Sequence, residues 1–267
     1  MMSARFLTVV LERAFNMRDG FGREIDYMRI SVIDSCNLNC YYCNPCDNNE
    51  HCHALNILSV KEVLCIVRAA TRLGIKHFRL TGGEPLLHPQ LDEMVLQIKK
   101  IPGVSSVSLT TNAVLLAQHA KWLKEAGIDS INVSLDTIDA SEYERITKKP
   151  LLEEVKHGIN AAIECGIRVK INVVLTPQTD VVALTRYVAK KGTDIRFIEM
   201  MPVGEGHTNG VEPYKKVIGT LSKLYGEPCR INTEKTKEIN SGNDKRKIPD
   251  NGPAEYYIFP ELGIRVG

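Results

Sequence analysis

Polar and apolar residues alternate one for one in several short stretches of the chain. In residues 131–136, Ile131, Val133 and Leu135 fall on one side and Asn132, Ser134 and Asp136 on the other. His77, Arg79 and Thr81 oppose Phe78 and Leu80 in the same way. Ser106, Ser108, Thr110 and Asn112 oppose Val107 and Leu109, and Lys170 and Asn172 oppose Ile171 and Val173. A period of two is that of a β-strand with unlike faces. The segments before the strands end in Gly74, Gly127, Gly166 and Gly192, where glycine supplies the left-handed turn that closes a helix. Ser59 with Glu62, and Asp139 with Glu142, read as capping boxes, and Pro89 suits a first helical position. With strands at 28–34 and 105–110, the pattern predicts about six strands alternating with helices, hence a parallel α/β fold with right-handed crossovers.

A parallel sheet buried on both faces has nearly continuous apolar strands. These strands are split, so one face meets the helices and the other meets water or a ligand. The prediction is a partial (βα)6 TIM-like barrel of parallel strands with outer helices, a polar concave face and a short C-terminal extension. A sheet covered by helices on one side only is the alternative. The division expected is an N-terminal extension over 1–27, the barrel over 28–205, and over 206–267 a helix followed by a flexible extension that reads as truncated. In that last part, residues 214–225 read as the helix, 230–252 as a mobile flap, and 254–266 as a returning strand.

Composition narrows the class. The chain has 267 residues, 43% hydrophobic and 25% charged, which fits one globular domain with or without an appendage. The net charge of +2 is spread along the chain, which argues against a general nucleic-acid surface. No apolar run has the length of a membrane span, and the first eleven residues lack a cleavage-site pattern. Of eight cysteines, Cys36, Cys40, Cys43 and Cys46 fall within eleven residues, the pattern of a reducing cytoplasm with one specialised loop. Cys65 and Cys165 lie in apolar helical patterns and are expected to be packing residues.

That loop carries the chemistry. Thiolates are soft ligands, and close spacing lets one loop wrap a soft metal centre. A cubane iron–sulfur cluster takes one cysteine per iron, so Cys36, Cys40 and Cys43 would leave one iron open to a ligand. A second loop, Thr81-Gly82-Gly83-Glu84-Pro85, also follows a strand, and its two glycines let backbone approach a ligand closely. Both loops are expected on the C-terminal rim of the strands, where such folds bind ligands. Two other readings stay open: a zinc site using Cys43, Cys46 and Cys52 with His51 or His53, and a closed cluster with Cys46 as fourth ligand.

The cysteine triplet with Tyr42 before its third member, together with Gly82-Gly83-Glu84-Pro85, resembles the radical S-adenosylmethionine enzymes. Further runs are similar to the GTP 3′,8-cyclase family of molybdenum-cofactor biosynthesis: Arg29-Ile30-Ser31-Val32, Thr110-Thr111-Asn112, Asn132-Val133-Ser134-Leu135-Asp136, Lys170-Ile171-Asn172 and Arg196-Phe197-Ile198-Glu199-Met200-Met201-Pro202. The resemblance implies a lyase with one 4Fe-4S cluster on Cys36, Cys40 and Cys43. It implies S-adenosylmethionine at Tyr42, Gly82, Gly83, Glu84, Pro85, Ser134 and Met201. The substrate would be GTP or another nucleotide, held by Arg29, Arg79, Thr110 and Lys170, and a reductant such as flavodoxin or ferredoxin would supply the electron. A cytoplasmic location and, as one assembly, a homodimer go with it; a membrane does not. The family carries a second cluster on three further cysteines near its C-terminus, and these residues do not supply it. A shortened cyclase is therefore expected, or a relative acting on another small substrate, against a non-catalytic iron–sulfur or zinc protein as the third alternative.

Overall fold

The alternating stretches form strands. The computed structural model describes residues 17–43, 56–200, 214–231 and 255–267. In chain order they give β1 (Tyr27–Ser31), α1 (Val60–Arg72), β2 (His77–Thr81), α2 (Leu91–Lys99), β3 (Ser106–Thr111), α3 (Leu116–Glu125), β4 (Ser130–Ser134) and α4 (Ala140–Thr147). There follow α5 (Leu152–Glu164), β5 (Arg168–Leu175), α6 (Val181–Lys190), β6 (Asp194–Glu199), α7 (Tyr214–Tyr225), β7 (Cys229–Ile231), β8 (Tyr256–Phe259) and β9 (Ile264–Val266). The sheet order is β1-β2-β3-β4-β5-β6-β9-β8-β7, with the first six strands parallel.

Register puts like faces together. Arg29 lies opposite Arg79, and Arg79 opposite Ser108. Thr110 pairs with Asn132 and Asn132 with Lys170, while Ser134 pairs with Asn172 and Asn172 with Arg196. The polar residues thus form rows on one face. The other face, with Phe78, Leu80, Leu109, Ile131, Val133 and Ile171, is buried against helix residues such as Val67, Met94, Leu123 and Ile159. Each such side chain contributes about 1.5–3 kcal/mol when removed from water, so this face holds the helices on.

Both halves of the capping box at α1 are present: Glu62 N donates to Ser59 Oγ (3.3 Å) and Ser59 N to Glu62 Oε2 (2.8 Å). At α4, Asp139 accepts from Glu142 N (2.8 Å), and the Glu142 carboxylate pairs with Arg145 instead of returning to the cap. Pro89 sits in a turn, and α2 starts two residues later at Leu91. The His88 ring fixes this turn, bonding Leu58 O through Nε2 (2.8 Å) and accepting from Gln90 N at Nδ1 (3.1 Å). Cys65 is exposed rather than packed, because α1 buries Val63, Val67 and Ala70 and Cys65 falls outside that stripe. Cys165 is half-buried.

The C-terminal residues give a hairpin where one strand is predicted. Leu262 and Gly263 both donate to Phe259 O, and Gly263 has a φ of 63°, which turns the chain between β8 and β9. β9 pairs in parallel with β6, and Gly267 N donates to Ile195 O (2.9 Å). Arg265 closes a buried ion pair with Asp194, whose Oδ1 also accepts from Arg265 N (3.1 Å). The predicted flap lies almost wholly outside the described residues. No helix among the described residues is long and apolar enough to cross a membrane.

Candidate active site

β1 and β2 are parallel neighbours, so the loops that follow them leave the same edge of the sheet. They are joined backbone to backbone. Val32 N donates to Thr81 O (2.9 Å), Gly83 N to Ile33 O (2.7 Å) and Glu84 N to Ser35 O (2.7 Å). A Cβ on Gly82 would lie 2.3 Å from Ile33 O, and one on Gly83 would lie 2.2 Å from Ser35 O. The glycines are therefore required for one loop to touch the other, a role that the sequence reading, which assigned them to a ligand, did not contain.

Glu84 is the buried fastening of this rim, at 1% exposure. Its Oε1 accepts from Thr111 Oγ1 (2.7 Å) and Leu86 N (3.0 Å), and its Oε2 from Asn112 N (2.7 Å). Burial pushes its carboxyl above the usual range, against the pull of these donors. The carboxylate is committed to the protein, so what the loop offers a ligand is backbone. Asn112 then reaches the cysteine loop, donating from Nδ2 to Asn37 Oδ1 (2.7 Å) and lying 3.8 Å from Cys36 Sγ.

The three thiols sit on an anchored turn. Cys43 N donates to Cys40 O (3.0 Å), Asn39 N to Thr147 O (3.0 Å) and Tyr41 N to Ile146 O (3.1 Å), which docks the loop on the end of α4. Cys36 and Cys43 are exposed and Cys40 is half-buried. The hydrogen bond from Cys40 lowers the Cys43 thiol and raises that of Cys40. The lowered Cys43 thiol is the readier of the two to become thiolate, the form that binds metal. Among the described residues no three His, Cys, Asp or Glu side chains converge as ligands of a single ion. Three thiols on one short loop suit a cluster, which takes one cysteine per iron. Cys46, His51, Cys52 and His53 lie outside the described residues.

Tyr42 turns inward and donates from its phenol to Asp136 Oδ2, while Asp136 Oδ1 accepts from Val174 N (2.7 Å). Burial raises the Asp136 carboxyl to about 6, and burial together with Asp136 raises the Tyr42 phenol. Asp136 was legible as a polar-face residue; its bond to the cysteine loop was not.

Deeper on the polar face, Arg79 Nε donates to Ser108 Oγ (3.0 Å) and its guanidinium lies 5.4 Å from the Tyr27 ring centroid. Arg29 is exposed beside it. Thr110 and Lys170 share the next row with Asn132, and Ser134 is exposed at the end of β4. Arg196, on the same face by its register with Asn172, joins Lys170 at the Tyr256 phenol: Lys170 Nζ donates at 2.8 Å and Arg196 Nε at 2.9 Å. Parity along β6 marks Arg196, but nothing in the sequence places Tyr256 there. Asn132 Nδ2 and Asn172 Oδ1 are buried with no hydrogen-bond partner among the described residues. An unmatched donor and an unmatched acceptor on a polar face fit a polar ligand between them. Met201 lies outside the described residues.

Residues 30–184 match the family model described as the radical SAM superfamily. The chain is 37% identical over 254 residues to a GTP 3′,8-cyclase of Clostridium perfringens (strain SM101), covering 94% of this chain and 74% of that protein. It is 40% identical over 245 residues to a GTP 3′,8-cyclase of Listeria monocytogenes, covering 90% and 70%. Among solved structures, Streptococcus suis SuiB bound to S-adenosylmethionine matches with a TM-score of 0.60 at 18% identity, covering 74% of this chain and 47% of that one. Native anSMEcpe with bound AdoMet matches with a TM-score of 0.59 at 20% identity, covering 74% and 60%. These likenesses carry the fold, a partial barrel of the radical SAM type. Members of this superfamily use a 4Fe-4S cluster on three cysteines together with S-adenosylmethionine. By the family model and the curated relatives, the chain belongs to the radical SAM superfamily and, within it, to the family of the GTP 3′,8-cyclases.

Proposed function

We propose that this chain binds a 4Fe-4S cluster and S-adenosylmethionine at the rim formed by the two loops and acts on GTP bound along the polar face, forming the 3′,8-cyclised nucleotide of molybdenum-cofactor biosynthesis. The observation that carries this is the backbone-to-backbone union of the cysteine loop with the Gly82-Gly83 loop above a polar sheet face bearing Arg29, Arg79 and Lys170. Cys36, Cys40 and Cys43 are the cluster ligands. Tyr42, Gly82, Gly83, Glu84, Pro85, Ser134 and Met201 form the S-adenosylmethionine site, with Glu84 acting by holding its loop and Tyr42 by docking the cysteine loop. Arg29, Arg79, Thr110 and Lys170 meet the nucleotide, their cations suited to a triphosphate.

When bound, the cluster and S-adenosylmethionine supply a carbon radical able to take hydrogen from the ribose. The protein's own part is to orient the two molecules, keep water from the radical and hold the triphosphate. A small reducing protein such as flavodoxin or ferredoxin is the partner that fits, in the cytoplasm, and residues 28–205 are the barrel unit. The test is anaerobic reconstitution followed by product analysis with a panel of nucleotides. Formation of 5′-deoxyadenosine with a cyclised product from GTP, both lost in Cys40→Ala, is the expected result. Cleavage with no GTP product would move the substrate to another small molecule, and stoichiometric zinc with no cubane spectrum would end the reading.

A further inference from the structure

The chain holds a strained turn after β3, beside the cysteine loop. Among the described residues, Ala113 (φ 65°) and Lys148 (φ 60°) are the two that have positive φ without being glycine. Lys148 closes α4, where a left-handed residue is common. Ala113 closes no helix, is fully buried, and carries a Cβ that makes the left-handed region costly. Such a conformation persists only where its surroundings hold it. Ala113 N donates to Thr111 Oγ1 (2.9 Å), and Ala113 O accepts from Leu116 N (3.1 Å). α5 lies against the turn so closely that a Cβ at Gly158 would collide with Ala113 O. What the turn presents is its neighbour. We infer that Asn112, aimed by this turn, is a positioning residue that donates a side-chain N–H to the Cys36 sulfur and raises the reduction potential of the cluster held there.

The hydrogen bonds around Asn112 fix which end of its amide faces the cysteines. Oδ1 accepts from Val114 N (3.0 Å), so Nδ2, with two N–H donors, is the end turned to the loop. That nitrogen donates to Asn37 Oδ1 (2.7 Å) and lies 3.8 Å from Cys36 Sγ, where the larger sulfur allows a longer bond. The backbone is held as well, Asn112 N donating to the buried Glu84 carboxylate (2.7 Å). Reduction brings in one electron from the reducing protein and puts negative charge on the sulfur ligands. A donor aimed at one of those sulfurs stabilises the reduced form over the oxidised one.

This role rests on Cys36 as a cluster ligand, and its test needs no substrate. Asn112→Ser keeps an oxygen for Val114 N and removes Nδ2. In a redox titration of reconstituted protein followed by EPR, the ratio of oxidised to reduced cluster at a fixed potential is expected to rise about tenfold, a fall of about 59 mV, with iron per chain unchanged. Asn112→Asp keeps the shape, turns the donor into an acceptor, and is expected to shift the ratio further the same way. A ratio within about twofold of the parent in these variants overturns the tuning role. Parent protein carrying asparagine isotopically labelled at the side-chain nitrogen is expected to show magnetic coupling of that nitrogen to the reduced cluster, lost in Asn112→Ser. A parent without this coupling, or a variant that keeps it, overturns the contact. A parent that takes up no cluster removes the ligand assignment itself, whereas a normal cluster of unchanged potential removes Asn112 alone.

Discussion

Tyr42 and Asp136, 94 residues apart in the chain, share a hydrogen bond that ties the cysteine loop to the sheet. The carboxylate on the receiving side is buried, and its other oxygen is held by Val174 N. Two of the three thiols are exposed, so their positions depend on how the loop is docked rather than on packing around the sulfurs. Removing the phenol oxygen strands one buried carboxylate oxygen. Tyr42→Phe is therefore expected to cost about 1–3 kcal/mol in denaturant titration while the three ligands, and the iron bound per chain after reconstitution, are retained.

The same carboxyl sets a pH dependence. In the fold, burial raises Asp136 from 3.8 to about 6. A raised group stabilises the fold fully below its unfolded value and loses that contribution as pH rises through its folded value. Between about pH 4 and about pH 7 the parent protein should lose up to about 3 kcal/mol from this group. Asp136→Asn does not titrate, so urea midpoints of the two proteins should diverge across this interval, the parent falling more steeply. Parallel curves would show that Asp136 ionises normally.

Gly83 tests the union of the loops. With Ser35 O at 2.2 Å and Asp34 O at 2.4 Å from its virtual Cβ, the clash in Gly83→Ala is with backbone and has no rotamer to relieve it. The two loops must part, and 5′-deoxyadenosine formation should fall by about tenfold or more, a barrier change of about 1.4 kcal/mol. Gly20→Ala, with nothing within 4 Å of its Cβ, is the matched control and should leave the rate unchanged.

Glu84 receives three donors through two oxygens. A glutamine there turns one acceptor into a donor facing a donor, so Glu84→Gln should lower stability by about 1–3 kcal/mol. Thermal melts measure this, and the loss should appear in the cluster-free protein too, because the carboxylate binds protein rather than cofactor.

The strands and their faces were legible because polar residues recur at period two on a sheet whose other side is apolar. His77–Thr81 and Tyr214–Tyr225 coincide with their predicted spans. What escaped depends on where strands lie in space. Tyr256 gains its meaning only because β9 docks beside β6, and a strand of three residues carries too little period to announce that. Gly82 and Gly83 signal a close approach, but the sequence does not say that the approaching group is another loop. Cys65 was misplaced because an apolar helix was read by composition and not by its buried stripe.

The order in which the hairpin enters the sheet also bears on synthesis. β6 acquires its outer neighbour from residues translated 71 positions after Asp194, as the Arg265–Asp194 pair records. Domains begin folding as they emerge from the ribosome, and distant pairings wait for loop closure. Lys170 and Arg196 therefore leave the exit tunnel well before the phenol that accepts from both, so this contact forms only after the hairpin has emerged.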